Sequence, residues 1–207
     1  MGTIDKGVRV LAAVEAVGPC ALADLVTATG LSRATTHRLA VALEAHGLLR
    51  RTGDGRFALG LRLVGLGRAA ADGLPLAEVA GPALLALRDA TGESAQLYVR
   101  SGAERVCVAS LESPHGLRTI VPMGAALPLD RGSAGRALTS PTAGWVDSVE
   151  ERERGVASVS AAVRGADGRV VAAVSVSGPI ERTTRSPGER YGAAVEAAAR
   201  AIEAASA

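Results

Sequence analysis

At 207 residues and 48% apolar, the chain can bury one large core or two small ones, and with only 2% aromatics that core must be built from Ala, Val and Leu. The net charge of +2 hides a split: residues 1–70 carry nine Lys/Arg against five Asp/Glu, and residues 71–207 carry fourteen against sixteen, as expected if a basic front third and a mildly acidic remainder meet different partners. No apolar run approaches the ~20 residues that span a bilayer, no charged-then-apolar leader opens the sequence, and Cys20 and Cys107 lack metal-ligand spacing, so a cytoplasmic protein with free thiols, no metal and no membrane partner is expected.

The first helix is expected from about Thr3–Asp5, with Ile4, Val8, Leu11, Ala12 and Val14 as its inward face, and Gly18-Pro19 ends it. A short helix follows, about Ala21 to Thr29, with Leu22, Leu25 and Val26 inward. Gly30 sits where a helix terminus needs a left-handed residue. Ser32 is a good N-cap for a third helix, about Arg33 to His46, with Thr36, Leu39, Ala40 and Leu43 inward. Two short strands then flank the turn Gly53-Asp54-Gly55. Three helices followed by a hairpin is the order of a winged helix-turn-helix.

Residues 61–75 predict a linker helix with Leu61, Val64, Leu66 and Ala69 among its apolar positions, broken at Pro75. A further helix is expected over Leu76–Thr91, then strands over Ala95–Val99, Arg105–Leu111 and Leu117–Val121. A Gly-rich stretch runs from Gly124 to Gly135. Strands over Val156–Val163 and Val170–Ser177 flank a Gly165–Gly168 turn, and an alanine-rich helix closes the chain. The fold class is therefore α+β. A winged helix-turn-helix domain (1–60) and linker (61–75) precede a mixed α/β domain (76–207) whose sheet is mostly antiparallel.

A B-DNA major groove admits one helix and is read by side chains near its N-terminus. The third helix opens with Ser32, Arg33, Ala34, Thr35, Thr36, His37 and Arg38. Arginine forks onto guanine, hydroxyls suit phosphates or base edges, and Ala34 permits close approach. The wing offers Arg50, Arg51 and Arg56 to phosphates or the minor groove. An ordinary surface helix also carries solvated arginines, but the full order of helix, turn, helix and basic hairpin favours DNA as partner. In the late strands, Ser158 and Ser160 share one face, as do Ser175 and Ser177. Such hydroxyls either face water on a half-exposed sheet or hold a small polar ligand.

The chain resembles the IclR family of bacterial regulators. The resemblance rests on Asp5-Lys6-Gly7-Val8-Arg9-Val10-Leu11, Thr29-Gly30-Leu31-Ser32 and Gly55-Arg56-Phe57-Ala58-Leu59-Gly60. In the second half it rests on Thr91-Gly92-Glu93, Gly132-Ser133-Ala134-Gly135-Arg136 and Ser175-Val176-Ser177-Gly178-Pro179. It implies a GAF-like effector domain with Met123, Ser133, Ala134, Ser158, Ser175 and Ser177 lining the pocket, and a dimer contact on the linker helix. Ala95–Tyr98 and Glu151–Ser160 are similar to an actinobacterial subgroup tied to control of amino-acid biosynthesis, including leucine. Two departures stand out. Ser148 occupies the position of an acidic ligand-binding residue, and only Thr139–Ala143 separates Leu138 from Gly144-Trp145, where the family carries about a helix pair more.

These readings predict a double-stranded operator, a homodimer or dimer of dimers, and a small polar effector such as an amino acid or 2-keto acid. That effector would be oriented by hydroxyls and backbone, since no Lys or Asp stands ready to hold a strong charge. The alternative is a DNA-binding regulator whose C-terminal domain only assembles subunits. An enzyme is remote and no catalytic residue or cofactor is expected: Gly132–Gly135 lacks a nucleophile elbow's spacing, no phosphate-binding loop is present, and His37, His46 and His115 lack suitable partners.

Overall fold

Two acidic side chains open the first two helices. The Asp5 carboxylate accepts from the Gly2 N–H at 2.7 Å and starts α1 (Thr3–Val17); Asp24 accepts from the Ala21 N–H at 2.9 Å and starts α2 (Leu22–Thr29). Gly30 ends α2 in the left-handed region, φ 62° and ψ 16°. Ser32 caps α3 (Arg33–Ala45), its hydroxyl accepting from the Thr35 N–H at 3.3 Å. The hairpin β1 (Leu49–Arg51) and β2 (Phe57–Leu59) is antiparallel, and Cys20 and Phe57 exchange backbone hydrogen bonds of 2.9 and 2.8 Å that tie it to the α1–α2 loop. Residues 2–139 and 144–206 of this computed structural model are described here. They divide into two compact units, 1–73 and 74–207.

The core of the first unit is Val10, Val14, Leu25, Ala40, Leu49 and Phe57. Each large apolar side chain so buried contributes about 1.5–3 kcal/mol. The inward face of α1 differs from expectation: Gly7, Val10, Ala13 and Val14 turn inward, while Ile4, Val8 and Ala12 are exposed. This helix is apolar on two stripes, so helical spacing alone could not choose between them. The last helix of the unit, α4 (Arg62–Asp72), buries no residue, and Leu61 and Val64 are 77% and 70% exposed.

In the second unit α5 (Pro75–Val79) and α6 (Gly81–Thr91) replace the single helix expected over 76–91. Pro82 lacks the N–H that would continue the ladder. One six-stranded antiparallel sheet follows: β3 (Ser94–Ser101), β4 (Glu104–Leu111), β5 (Ala126–Pro128), β6 (Trp145–Val149), β7 (Val156–Arg164) and β8 (Val170–Pro179). Their spatial order is β5-β4-β3-β8-β7-β6. The expected strand Leu117–Val121 does not form. Leu117 lies in a bend and residues 118–121 form no ladder; of residues 117–121 only Val121 is a buried apolar side chain, and the Thr119 carbonyl accepts from the Ser94 hydroxyl at 2.6 Å. The Gly-rich stretch also holds more order than its composition suggests. It includes β5 and the first half of α7 (Gly132–Thr139).

Both sheet faces are covered. Leu97, Val159, Ala161, Val174 and Val176 pack with Leu84 and Leu87 of α6 and with Val195 and Ile202 of α9 (Pro187–Ala205), which follows the short α8 (Ile180–Thr183). Opposite, Tyr98, Cys107 and Ala173 pack with Ala134, Ala137 and Leu138 of α7. Trp145 lies flat against α9 because Gly188 and Gly192 stand beneath it; a Cβ at either would collide with the indole. The expected short junction over Thr139–Ala143 falls, for residues 140–143, outside the described residues.

Candidate nucleic-acid interface and ligand cleft

The outward face of α3 is open. Ser32, Arg33, Ala34, His37 and Arg38 are exposed and Thr35 is half-buried, its hydroxyl accepting from Ser32 at 2.9 Å. Behind them Thr36 and Ala40 are fully buried and Leu39 and Leu43 partly so. The helix is thus fixed from the core side, and Arg33 and Arg38 have no ion-pair partner among the described residues. Ser32 is committed to the cap, which leaves the two arginines, His37 and the small Ala34 as the open surface of the helix.

The wing arginines divide. Arg50 is exposed with no ion-pair partner among the described residues. Among the described residues the Arg56 guanidinium pairs only with the exposed Asp54, at 3.1 Å. Arg51 is engaged within the wing: it stacks on Phe57 at 3.7 Å, donates to the Gly55 carbonyl at 2.9 Å and pairs with Glu44 at 3.4 Å. Its geometry is that of a buckle between α3 and the hairpin.

In the second unit, the serines singled out by strand alternation meet under α7. The Ser133 hydroxyl bonds those of Ser158 and Ser160, both at 2.7 Å. Ser160 donates to Ser175 at 2.9 Å, Ser158 bonds Ser148 at 3.2 Å, and Ser177 donates to Gln96 at 3.2 Å. Except for Ser158 these serines are buried, so they do not face water on a half-exposed sheet. All but Ser160 line a cleft with Tyr98, Arg105, Gly132, Ala134, Arg152 and Val156 that has room for little more than one water molecule, about 20 Å3. Met123 is not part of it; it stands 67% exposed on the turn after Val121.

The expectation of a cleft without fixed charge is overturned by Arg105 and Arg152. Arg105 is only 3% exposed. Its Nη1 donates to the carbonyls of Pro128 and, at 2.7 Å, Arg131, while Nε has no partner among the described residues. Burial, and the like charge of Arg152, push its pKa down. A charged residue at the start of a strand reads as solvated, yet Arg105 and Cys107 share the inward face of β4. Tyr98, held above its usual pKa by burial, lies under the guanidinium at 5.6 Å. The first turn of α7 is closed by Glu151, which accepts from the Gly132 N–H at 2.9 Å and pairs with Arg136 at 2.5 Å. Among the described residues no His/Cys/Asp/Glu group could hold a metal, and no helix is long and apolar enough to cross a membrane.

The IclR helix-turn-helix domain matches residues 3–53, and the C-terminal domain of bacterial IclR transcriptional regulators matches residues 68–143 and 141–204. The two segments of the second match meet where the junction after Leu138 is short. Transcriptional repressor IclR of Escherichia coli (strain K12) is 25% identical over 241 positions, covering 97% of this chain and 88% of that protein. HTH-type transcriptional regulator KipR of Bacillus subtilis (strain 168) is 32% identical over 119 residues, 58% of this chain and 48% of KipR. An IclR homolog from Microbacterium hydrocarbonoxydans, solved with 4-hydroxybenzoate, superimposes with a TM-score of 0.81 at 22% identity, covering 99% of this chain and 98% of that one.

Proposed function

Because the chain belongs to the IclR family of DNA-binding transcriptional regulators and is not an enzyme, we propose that α3 reads an operator in the major groove and that a small polar metabolite in the serine cleft modulates this binding. The observation that carries the first half is the open face of α3, fixed from behind by Thr36 and Ala40, with Arg33 and Arg38 unpaired among the described residues. Arg50 and Arg56 meet backbone phosphates. For the second half, the support is the convergence of Ser133, Ser158, Ser175 and Ser177 on one cleft, together with a fold shared with a protein solved with a small molecule. The ligand acts by preferring one arrangement of the chain over another, since equal affinity for both would shift nothing.

The protein works as a dimer or dimer of dimers, which presents two reading helices to half-sites on one face of DNA. The bare apolar side of α4 supports this. Ala95–Tyr98 and Glu151–Ser160 favour genes of amino-acid biosynthesis as targets. Mapping bound DNA across the genome, then titrating metabolites of the bound pathway against the protein–operator complex, tests the reading. Ser175→Val or Ser177→Val should abolish the ligand response with DNA binding retained; an unchanged response in both places the ligand elsewhere. Light scattering that shows a monomer with full operator affinity would refute the assembly.

One observation favours a second reading. The cleft is narrow and its serines already satisfy one another, as expected if the domain served assembly alone. Absence of any metabolite effect on operator binding would select that reading.

A further inference from the structure

Thr36 and Ala40, with the half-buried Leu39 and Leu43, hold one side of α3 against the core. On the opposite side Ala34, Arg38, Val41 and Ala45 follow one another at helical spacing, with His37 and Ala42 beside them, and all six are exposed. Val41 is, among the described residues, the one large apolar side chain that α3 exposes, at 42%. A lone exposed valine is ordinary on a protein surface. This one is distinguished by its setting. It stands one turn beyond Arg38, which has no ion-pair partner among the described residues, and Ala42 and Ala45 beside it are small. Alanine would suit the helix better at 41 as well, because a β-branched side chain loses freedom there. Helix formation therefore does not ask for valine, and Val41 is not part of the core of its unit. The face is also free of acid. Glu44 is the only carboxylate on α3, and it is half-buried and paired with Arg51 of the wing at 3.4 Å. With no acid to repel phosphates and only small side chains around Val41, the helix can lie along a groove as far as its ninth residue instead of entering by its tip alone.

We propose that Val41 is a specificity residue that reads thymine: its two stiffly held methyl groups pack on the 5-methyl group that marks thymine in the major groove. This rests on α3 being the reading helix and adds a base to what that helix reads. Lengths along the helix place the base. Arg38 and Val41 are three residues apart, ~4.5 Å at 1.5 Å per residue, and successive bases rise ~3.4 Å. The thymine therefore lies one or two base pairs from the pair that Arg38 contacts.

Operator fragments selected from random DNA with the full chain supply the probe. Each thymine is replaced in turn by deoxyuridine, which keeps the pairing and loses only the methyl group, and affinity is read by fluorescence anisotropy. The expected result is at least one methyl-sensitive thymine within two base pairs of the position where Arg38→Ala relaxes preference. Its replacement should weaken the wild type about 3- to 5-fold, the worth of one buried methyl group. Val41→Ala and Val41→Ser should bind the thymine and deoxyuridine operators alike, with melting temperatures close to that of the wild type. A merely structural Val41 would weaken both DNAs by the same factor and leave the discrimination intact. That outcome, or no methyl-sensitive thymine within two base pairs of the Arg38 position, overturns the proposal. The helix reading survives either result as long as Arg33→Ala/Arg38→Ala loses affinity and preference. If that double variant binds and selects like wild type, the helix reading falls and the proposal falls with it.

Discussion

On α3, Arg33 and Arg38 stand in solvent with no ion-pair partner among the described residues, whereas in the sheet unit Arg105 and Arg182 are drawn against buried surroundings. The exposed pair costs the fold nothing and is, in the proposed function, open to a partner that brings its own negative charge. Arg182 instead holds the buried carboxylate of Glu93 through two hydrogen bonds, 2.6 and 2.8 Å, and adds a third to the Leu117 carbonyl. The proposed reading surface thus keeps its charge outside and gets its shape from behind. A sheet covered on both faces must satisfy every charge it takes in, and among the described residues Arg105 is left partly unsatisfied at Nε.

That contrast can be broken first at Arg182. Arg182→Met would leave Glu93 buried without its cation, a loss of about 3 kcal/mol, seen as a lower denaturant midpoint for the sheet unit. An unchanged midpoint would mean that Glu93 is not desolvated as its position implies.

A smaller effect separates the wing arginines. Arg51→Ala removes the stack on Phe57 and should cost the first unit about 1 kcal/mol. Arg56→Ala should leave stability within about 0.5 kcal/mol and lower the salt dependence of DNA binding by about one phosphate contact. The reverse pattern would exchange their roles.

The smallest effect concerns the thiols. Burial raises both, and Cys107 is pushed up to about 11. At pH 8 each is protonated and shielded, so iodoacetamide should modify neither until urea is added. Rapid labelling of native Cys107 would show that the α7 layer opens readily.

The two regions also differ in how much their sequence discloses. The α2–α3 turn rests on local chemistry: Gly30 takes the left-handed terminus and Ser32 caps within three residues, and both were legible. The wing carries its Asp-Gly turn on its face. Strand period alone put Ser158 with Ser160 and Ser175 with Ser177. Where period failed, a distant partner decided. Helix α7 has two glycines in its first four residues and owes its form to Leu138 and Ala137 packing on Tyr98 and Cys107, and to Glu151 closing its first turn. Strand β6 carries Asp147 and Ser148 and is set by pairing with β7. Arg105 was invisible as a site residue because groups distant in sequence enclose it, the Pro128 and Arg131 carbonyls and the first turn of α7.

The central claim is that α3 reads DNA. Operator fragments selected from random DNA, titrated by fluorescence anisotropy with wild type and with Arg33→Ala/Arg38→Ala, test it most directly. The account predicts a loss of about 1–3 kcal/mol for each bidentate base contact removed, a relaxed sequence preference and an unchanged melting temperature. Equal affinity and equal preference in the double variant would contradict it.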